Sequence, residues 1–286
     1  MTHLPSKMTL SIIGSGVVGG ATGKGFVQLG HDVIFYDTER EKLRQLSSQG
    51  YEVCRNVFDA VTSSSFSFVC VQTPTDNGNV DLSFMKSAIV SIGKALKKKK
   101  KRDYHVVVVR STLLPGTTRS IIFPILQRFA NSRFFGLCYN PEFLRQTSSL
   151  EDFLNPSRIV IGELDEKSGN GLAKLYSPLN APTIRTDFDT AEMIKHVSNA
   201  FLATKISFFN EIYQACRKLG VNDKVVSEAV SLDPRIGGYG VVGGRPFAGG
   251  CLPKDVVAFA KFLEGIKVNP DIVKVVLEIN SRMNNQ

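Results

Sequence analysis

Three glycines near the start of the chain restrict its fold more than any other feature. Gly14, Gly16 and Gly19 form a G-x-G-x-x-G pattern between an apolar run at residues 9–13 and a helical pattern at 17–29. In such a loop the first glycine permits a tight turn, the second lets a pyrophosphate approach the backbone, and the third lets helix and strand pack closely. The helix start also offers unpaired N–H groups and a partial positive charge. The pattern predicts a dinucleotide-binding strand–loop–helix unit.

An acidic residue follows at the position where a dinucleotide site needs one. Asp37 ends the next strand-like run, about twenty residues beyond the glycines. A carboxylate there accepts hydrogen bonds from the ribose hydroxyls and repels a 2′-phosphate, so NAD is favoured over NADP. Arg40 leaves NADP open as the alternative. Val17 and Val18, at the start of the predicted helix, are included among the cofactor contacts.

Apolar strand-like runs alternate with amphipathic helical patterns through the first two-thirds of the chain. This alternation is typical of an α/β fold with a Rossmann-like, doubly wound parallel sheet and right-handed crossovers. The predicted strands are residues 9–13, 32–36, 66–71, 105–110, 134–139 and 158–161, and the clearest helical patterns are residues 17–29 and 82–96.

The pattern changes near residue 188. Apolar residues at 190–219 recur at spacings of three, four and seven, which predicts one long amphipathic helix that ends at Gly220. Further helices are predicted at residues 224–231, 253–263 and 269–284, with a glycine-rich loop at 237–250. We therefore predict an NAD-binding Rossmann-like domain at residues 1–188 and a helical domain with a long central helix at 189–286.

Length and composition limit the class of protein. The 286 residues, 43% of them hydrophobic, suffice for one large domain or two ordinary ones. The first residues lack the apolar stretch of a signal peptide, and the longest aliphatic run is too short to span a bilayer. Five cysteines without CxxC spacing argue against a disulfide framework or a zinc site and favour the reducing cytosol. We expect a cytoplasmic protein without a membrane or metal partner.

Much of the net charge of +9 comes from one basic run at residues 97–102. The run lies between a helical pattern and a strand-like run, where a solvated loop is the ordinary interpretation. A polyanion-binding patch is the alternative, but no RNA- or DNA-binding motif accompanies the run. We therefore expect no nucleic-acid partner.

Two further strand-like runs lead into residues with hydroxyl groups. Thr73 and Pro74 follow the run at 66–71, and Thr112 follows the run at 105–110. Ligands bind at the carboxyl edge of the strands in such folds, so these residues are candidate cofactor contacts. Taken singly, each threonine is equally consistent with a helix cap.

Three residues in the second part of the chain are candidates for the chemistry. Lys195 and Asn199 lie four apart on the long helix and share a face, although a solvated face is the ordinary interpretation of such a pair. Cys251 precedes Pro253, which suits the first turn of a helix. Because a helix N-terminus favours the thiolate, Cys251 is a candidate nucleophile, with a core-filling cysteine as the alternative.

Six stretches resemble signature blocks of the UDP-glucose/GDP-mannose 6-dehydrogenase family and occur in the family's order. They are residues 73–75 (TPT), 110–112 (RST), 140–145 (NPEFLR), 192–211, 233–237 (DPRIG) and 249–255 (GGCLPKD). The blocks are spread along the chain from residue 73 to residue 255. The resemblance implies oxidation of the C6 alcohol of a nucleotide sugar to a carboxylate, with two NAD as hydride acceptors and UDP-glucose as the expected substrate.

The resemblance also implies roles for individual residues. Cys251 adds to the intermediate aldehyde, the second hydride transfer leaves a thioester, and water releases the acid. Lys195 and Asn199 stabilise the developing oxyanion. Glu142 or Asp255, together with Thr112, holds or deprotonates the water. The remaining implied contacts are Lys42 and Lys254 for the cofactor and Glu142, Phe143, Leu144, Lys195, Asn199, Gly244, Phe247 and Ala248 for the substrate.

The sequence departs from the family pattern at a few positions. Gln146 replaces the glutamate that usually follows the NPEFLR block, and Gly240 stands where an aromatic residue is common. Ala248 and Gly250 change the residues before the cysteine. The family's third domain, which holds much of the nucleotide half of the substrate, is expected to be absent. A truncated chain, a partner chain that supplies this domain, or a reduced substrate site would each account for its absence.

These observations support three hypotheses. The first is an NAD-dependent nucleotide-sugar 6-dehydrogenase that forms a homodimer through the long helix. The second is a β-hydroxyacid dehydrogenase, a class that also has lysine and asparagine four apart but does not need Cys251. The third is a non-catalytic or split-enzyme subunit that binds NAD without turnover.

Overall fold

The computed structural model describes residues 7–99 and 104–284. The chain forms two compact units. The first comprises the chain up to Thr73 together with Asp81–Lys195, and the second comprises Pro74–Val80 together with the chain from His196 onward. The division lies inside the long helix, which begins at Phe188. The domain limits 1–188 and 189–286 remain a prediction.

An eight-stranded sheet forms the centre of the first unit, and all six predicted strands are present in it. Their observed bounds lie within two residues of the predicted ones. The sheet order is β10-β9-β8-β7-β4-β1-β2-β3. The strands are β1 (Thr9–Ile13), β2 (Asp32–Tyr36), β3 (Glu52–Val53), β4 (Phe66–Val69), β7 (His105–Val109), β8 (Phe135–Tyr139), β9 (Ile159–Glu163) and β10 (Thr183–Thr186), while β5 (Thr75–Asp76) and β6 (Asn79–Val80) pair with each other in the second unit.

The predicted parallel sheet is confirmed, with one antiparallel pair of strands near one edge. The strands from β3 to β8 in the sheet order run parallel, but β9 pairs with β8 in the antiparallel sense, and β10 runs parallel to β9. Since β9 begins at the edge where β8 ends, the connection between them stays at the carboxyl edge of the parallel strands. That connection contains the NPEFLR block, so the sheet topology delivers this block to the edge where ligands bind in such folds.

The strands alternate their side chains between two apolar layers. In β7, Val106 and Val108 pack into one apolar cluster, whereas Val107 and Val109 pack into the other. All four valines are buried. A strand that is covered on both faces needs apolar residues at every position, which explains the continuous valine run.

Eleven α-helices are present in the described residues, and the long helix belongs to both units. They are α1 (Val17–Gln28), α2 (Arg40–Ser48), α3 (Val57–Thr62), α4 (Ser83–Lys98), α5 (Phe123–Gln127), α6 (Ser149–Leu154), α7 (Glu166–Tyr176), α8 (Phe188–Leu219), α9 (Asp223–Ser231), α10 (Leu252–Gly265) and α11 (Asp271–Asn284). A π-helical turn, Thr118–Ile122, precedes α5. The second unit has its own small core of Ala203, Phe247, Val256 and Val276.

The predicted basic loop at residues 97–102 is partly helical. Lys97 and Lys98 form the exposed last turn of α4, where a cation interacts favourably with the helix dipole. The Lys99 ammonium donates to the Val61 carbonyl at 3.2 Å. The rest of the run lies outside the described residues. Within the described ranges no helix is long and apolar enough to cross a membrane, and no three histidine, cysteine or acidic residues cluster as metal ligands.

Candidate active site

Close packing around the loop between β1 and α1 is enough to require glycine at two of its three glycine positions. Gly14 has a φ of +93°, and a Cβ there would lie 2.8 Å from the Cys70 carbonyl oxygen. A Cβ on Gly19 would lie 1.9 Å from the Gly14 carbonyl oxygen. Gly16 is different, because a Cβ there would meet no atom within 4 Å. The fold itself therefore does not demand glycine at position 16.

The start of α1 fits the pyrophosphate of NAD. The helix begins directly after Gly16, its first turn carries no acidic residue, and no side chain caps it. The first N–H groups of a helix need partners, and an anion supplies them. Since packing does not account for Gly16, its role as a contact of the pyrophosphate stays a prediction. Val17 is exposed at the same turn.

Asp37 is held beside this loop by backbone hydrogen bonds. Its Oδ2 accepts the Ser15 N–H at 2.6 Å, and its Oδ1 accepts the Glu39 N–H at 2.9 Å. The carboxylate is thus pre-oriented at the end of β2, where the ribose contact is predicted. Lys42 lies on α2 and pairs with Glu39 at 2.6 Å, and this hydrogen bond raises the pKa of Lys42.

The loops that follow β4 and β7 are joined by a hydrogen bond between the two threonines that are predicted as cofactor contacts. The Thr73 hydroxyl donates to the Thr112 carbonyl at 3.1 Å. The Ser111 hydroxyl donates to the Val71 carbonyl. Neither threonine caps a helix, since α4 follows Leu82 and the π-helical turn follows Thr117. The helix-cap alternative is therefore wrong for Thr73 and Thr112.

A buried ion pair connects the NPEFLR block to α8. The Lys195 Nζ lies 2.9 Å from Glu142 Oε1 and 2.8 Å from the Glu142 carbonyl oxygen. Their side chains are only 4% and 7% exposed, respectively. The alternative of a solvated face is therefore wrong for Lys195, and it is also wrong for Asn199, which is buried.

The environment of Glu142 favours its ionised form. Burial by itself raises the pKa of Glu142, but Lys195, the Leu144 N–H and Arg110 outweigh burial and hold the pKa below its ordinary value. The Leu144 N–H donates to Glu142 Oε2 at 2.7 Å. The Phe143 ring lies under the Arg158 guanidinium at 3.8 Å. The ion pair gives the Lys195 ammonium a fixed direction, which an oxyanion-stabilising group needs.

The second unit contains another ordered polar cluster. Asp255 is buried, and both its oxygens have partners: Asn199 Nδ2 donates to Oδ2 at 2.7 Å, and Lys254 Nζ donates to Oδ1 at 2.6 Å. The carboxylate therefore orients the Asn199 amide and the Lys254 ammonium. Lys195 therefore pairs with Glu142, whereas Asn199 pairs with Asp255. The helical spacing of Lys195 and Asn199 does not predict these different partners, because Glu142 and Asp255 lie far apart in the sequence.

Cys251 is exposed and lies at the N-cap position of α10, as the sequence predicts. Pro253 is in the first turn of this helix. Because Cys251 is exposed, the core-filling alternative is wrong. A thiol at this position lies beside the N–H groups of the first turn, which favour a negative charge.

Two asparagines that the sequence patterns do not single out hold the glycine-rich loop. Asn210 on α8 accepts the Gly244 N–H at 2.8 Å and donates to the Arg245 carbonyl at 2.9 Å. Asn280 on α11 accepts the Phe247 N–H at 2.7 Å and donates to its carbonyl at 3.1 Å. One signal was present, since Asn210 follows Asn199 by eleven positions, a spacing that keeps residues on one helical face.

The predicted substrate residues of this loop differ in their surroundings. The Phe247 ring is buried in the small core of the second unit, whereas Ala248 is exposed. Gly244 has a φ of +94°, which favours glycine. Gly240 also has a positive φ, +72°, so the aromatic residue common at this position in the family would be strained here. Gln146 is exposed at the start of a short 3₁₀ turn.

Glu192 is a buried acid to which the sequence patterns assign no role. Its Oε2 accepts the Gly116 N–H at 2.7 Å, and its Oε1 accepts both the N–H and the hydroxyl of Thr118, at 2.8 and 2.7 Å. Burial raises the pKa of Glu192 to about 7, although these hydrogen bonds oppose the shift. Within the described ranges, no lysine, arginine or histidine forms a salt bridge with it.

Comparisons with known proteins match both parts of the chain. The sequence model of the UDP-glucose/GDP-mannose dehydrogenase family, NAD binding domain, matches residues 48–180, and the model of the family's central domain matches residues 189–282. A UDP-glucose 6-dehydrogenase of Haloferax volcanii is 33% identical over 96% of this chain. A GDP-mannose 6-dehydrogenase of Azotobacter vinelandii is 37% identical over 88% of this chain.

A solved structure supports the same relationship. The UDP-glucose dehydrogenase from the archaeon Pyrobaculum islandicum superposes with a TM-score of 0.90 at 35% identity, covering 99% of this chain and 70% of that one. The chain spans 69% of the Haloferax relative and 64% of the Azotobacter relative. Its similarity therefore extends over about two-thirds of the length of these curated relatives.

Proposed function

Because this chain belongs to the UDP-glucose/GDP-mannose dehydrogenase family, we propose that it oxidises the C6 hydroxyl of a nucleotide sugar to a carboxylate. The proposed substrate is UDP-glucose, and the product is then UDP-glucuronate. NAD, when bound, supplies the chemistry of hydride acceptance in two successive oxidations. The observation that carries the proposal is the buried Lys195–Glu142 ion pair of the first unit. The uncapped start of α1 in the same unit and the exposed Cys251 in the second unit support it.

In this proposal, residues of the first unit bind the cofactor and stabilise the negative charge that develops on the substrate oxygen. The N–H groups at the start of α1 bind the pyrophosphate, and Asp37 binds the ribose. The Lys195 ammonium donates to the oxygen of the substrate carbon as that oxygen gains negative charge. Glu142 keeps the ammonium oriented through the 2.9 Å ion pair. Thr112 contributes a hydroxyl at the same sheet edge.

In this proposal, residues of the second unit perform the covalent step. The first oxidation leaves an aldehyde, and the Cys251 thiolate adds to its carbon while the carbonyl oxygen takes up a proton. The thiohemiacetal then loses that proton and a hydride to become a thioester, and water cleaves the carbon–sulfur bond to release the acid and the thiol. Asn199 donates to the same oxygen, and Asp255 orients Asn199 through the 2.7 Å hydrogen bond.

The experiment that tests the proposal measures NADH formation and NAD binding together. The chain is mixed with UDP-glucose, GDP-mannose or UDP-N-acetylmannosamine, and NADH formed per sugar consumed is counted while calorimetry records NAD binding. We expect two NADH per sugar with one substrate. NAD binding without turnover of any of the three would contradict the proposal. It would favour a non-catalytic or split-enzyme subunit whose partner chain supplies further substrate contacts.

We also propose a cytoplasmic homodimer that associates through α8. Three large apolar residues on the part of α8 in the second unit, Val197, Phe201 and Phe208, are more than half exposed, at 51%, 64% and 54%. Monomeric proteins rarely leave such a contiguous apolar face in water. We expect sedimentation at micromolar concentration to show a dimer and a Phe201→Lys variant to shift it towards monomer. A parent chain that sediments only as a monomer would contradict this proposal.

A further inference from the structure

We infer that Glu192 is a positioning residue that fixes the loop bearing Thr112 to the turn of α8 bearing Lys195. The inference rests on the proposed function for the reaction that this positioning serves. The anchoring itself rests on contacts within the first unit. Glu192 is fully buried, and its role in the proposed chemistry is indirect, through Thr112.

The carboxylate of Glu192 takes the place of a helix cap. The π-helical turn begins after Thr117, and no side chain within that segment caps it. Glu192 instead accepts the N–H groups of Gly116 and Thr118 and the Thr118 hydroxyl, so three donors converge on one carboxylate. Because burial raises the pKa of Glu192 to about 7, its ionised form is the main one above that pH. The ionised carboxylate accepts the three donors in charge-assisted hydrogen bonds, which are stronger than those between neutral groups, and the N-terminus of the turn favours its negative charge.

The hydrogen bonds of Glu192 fix residues 116–118 of the loop that follows β7, and other contacts fix residues 111–112. The Ser111 hydroxyl reaches the Val71 carbonyl, and the Thr112 carbonyl accepts from Thr73 at 3.1 Å. Gly116 has a φ of +89°, so the chain turns sharply just before the anchored segment. Without Glu192, the N–H groups of Gly116 and Thr118 would lose their acceptor. The exposed ion pairs of Arg119 with Asp187 and Asp189 would still tie the segment to the start of α8, but exposed ion pairs contribute little stability.

The same turn of α8 also sets the position of a proposed catalytic group. Lys195 follows Glu192 by three residues, so the two side chains project from neighbouring positions on the helix. Lys195 holds the NPEFLR block through Glu142, and Glu192 holds the Thr112 loop. One helical turn therefore aligns two loops that contribute to the proposed site, and a misplacement of about 1 Å is enough to slow an enzyme about a hundredfold.

The test compares acid-to-amide substitutions at two positions of the same helix. Glu192→Gln replaces one acceptor oxygen by an NH₂ group, which faces an N–H or O–H donor instead of accepting from it. Asp189→Asn is the matched control, because Asp189 lies one turn earlier and its carboxylate pairs with the exposed Arg119 side chain instead of accepting the N–H groups of Gly116 and Thr118. Thr118→Val and Thr118→Ser form a second pair, since valine keeps the shape without the hydroxyl and serine keeps the hydroxyl.

Two measurements follow for each variant. For Glu192→Gln we expect kcat to fall about tenfold or more while KM for NAD changes less than about threefold, the pattern of lost transition-state positioning. Asp189→Asn and Thr118→Ser should match the parent, and Thr118→Val should fall between. Amide hydrogen exchange at residues 112–118 should become faster in Glu192→Gln and in Thr118→Val but not in the two controls.

The outcomes separate this inference from the proposed function. Parental kcat and parental hydrogen exchange in Glu192→Gln would overturn the inference, and so would reduced stability with unchanged kcat. If the parent turned over no nucleotide sugar, the proposed function would fail, and the exchange measurement would still decide whether Glu192 anchors the loop. If Glu192→Gln did not fold, the Thr118→Val and Thr118→Ser pair would decide through the same two readouts.

Discussion

Replacing Cys251 with serine is expected to stop formation of the carboxylate product. The thiolate is the group that converts the aldehyde into a species able to lose a second hydride, and a serine hydroxyl at this position is a far weaker nucleophile. We expect carboxylate formation to fall by at least about a thousandfold, the scale seen when a covalent nucleophile is removed. The first oxidation does not need the thiol, so NADH formed per sugar should fall from two towards one.

The control for this variant is another cysteine of the same chain. Cys54 is partly exposed in the first unit, where its thiol donates to the Asn56 carbonyl at 3.1 Å, away from the NPEFLR block in sequence. Cys54→Ser should therefore retain parental turnover and stoichiometry. Product analysis by mass spectrometry distinguishes aldehyde from acid. If Cys251→Ser still yielded two NADH per sugar at the parental rate, the proposed covalent mechanism would be wrong.

Replacing Lys195 with methionine is expected to destabilise the first unit strongly. The substitution leaves the Glu142 carboxylate buried without its ion-pair partner, and uncompensated buried charges cost about 3–5 kcal/mol. We expect a loss near the lower end, about 3 kcal/mol at pH 8, because Arg110 and the Leu144 N–H still favour the carboxylate. Urea unfolding followed by circular dichroism measures this loss, since the chain has no tryptophan.

The pH dependence of this loss identifies its cause. In the parent, the pKa of Glu142 lies below the ordinary value of 4.5, so its stabilising contribution is complete above that pH and is lost as pH falls through the folded-state pKa. In Lys195→Met, burial outweighs the remaining partners and raises the pKa of Glu142. The folded variant then binds a proton that the unfolded chain does not. The difference in free energy of unfolding between the variant and the parent should therefore shrink as pH falls from 8 to 5.

The double variant Lys195→Met/Glu142→Gln provides the matched comparison. It removes both charges and keeps an oxygen that accepts the Leu144 N–H, so its stability should lie within about 1 kcal/mol of the parent. It should also show no recovery at low pH relative to the parent. A single variant as stable as the parent at pH 8, or a loss that stayed constant down to pH 5, would refute the proposed energetics of the ion pair.

The sequence predicts local elements well where burial imposes a period. The valine run of β7 and the glycines before α1 indicate a strand and a phosphate-binding turn because each pattern has one physical solution. Short polar strands carry no such signal: β3 has two residues, and β10 is largely exposed. The turn of the β5–β6 hairpin had a sequence signal, because an Asn-Gly pair favours the positive φ that Asn77 and Gly78 both have. The strands themselves are too short to show alternation.

The sequence by itself therefore determined the glycine loop, the six longer strands of the sheet, the long helix α8, the position of Cys251 at the start of α10, and the family to which the chain is similar. Only the tertiary structure decided the direction of β9, because strand composition does not encode which way a neighbouring strand runs. It also decided the partners of Lys195 and Glu192, which lie 53 and 74 to 76 positions away. Contacts at such separations depend on how the sheet brings its loops to one edge, and no local pattern records them.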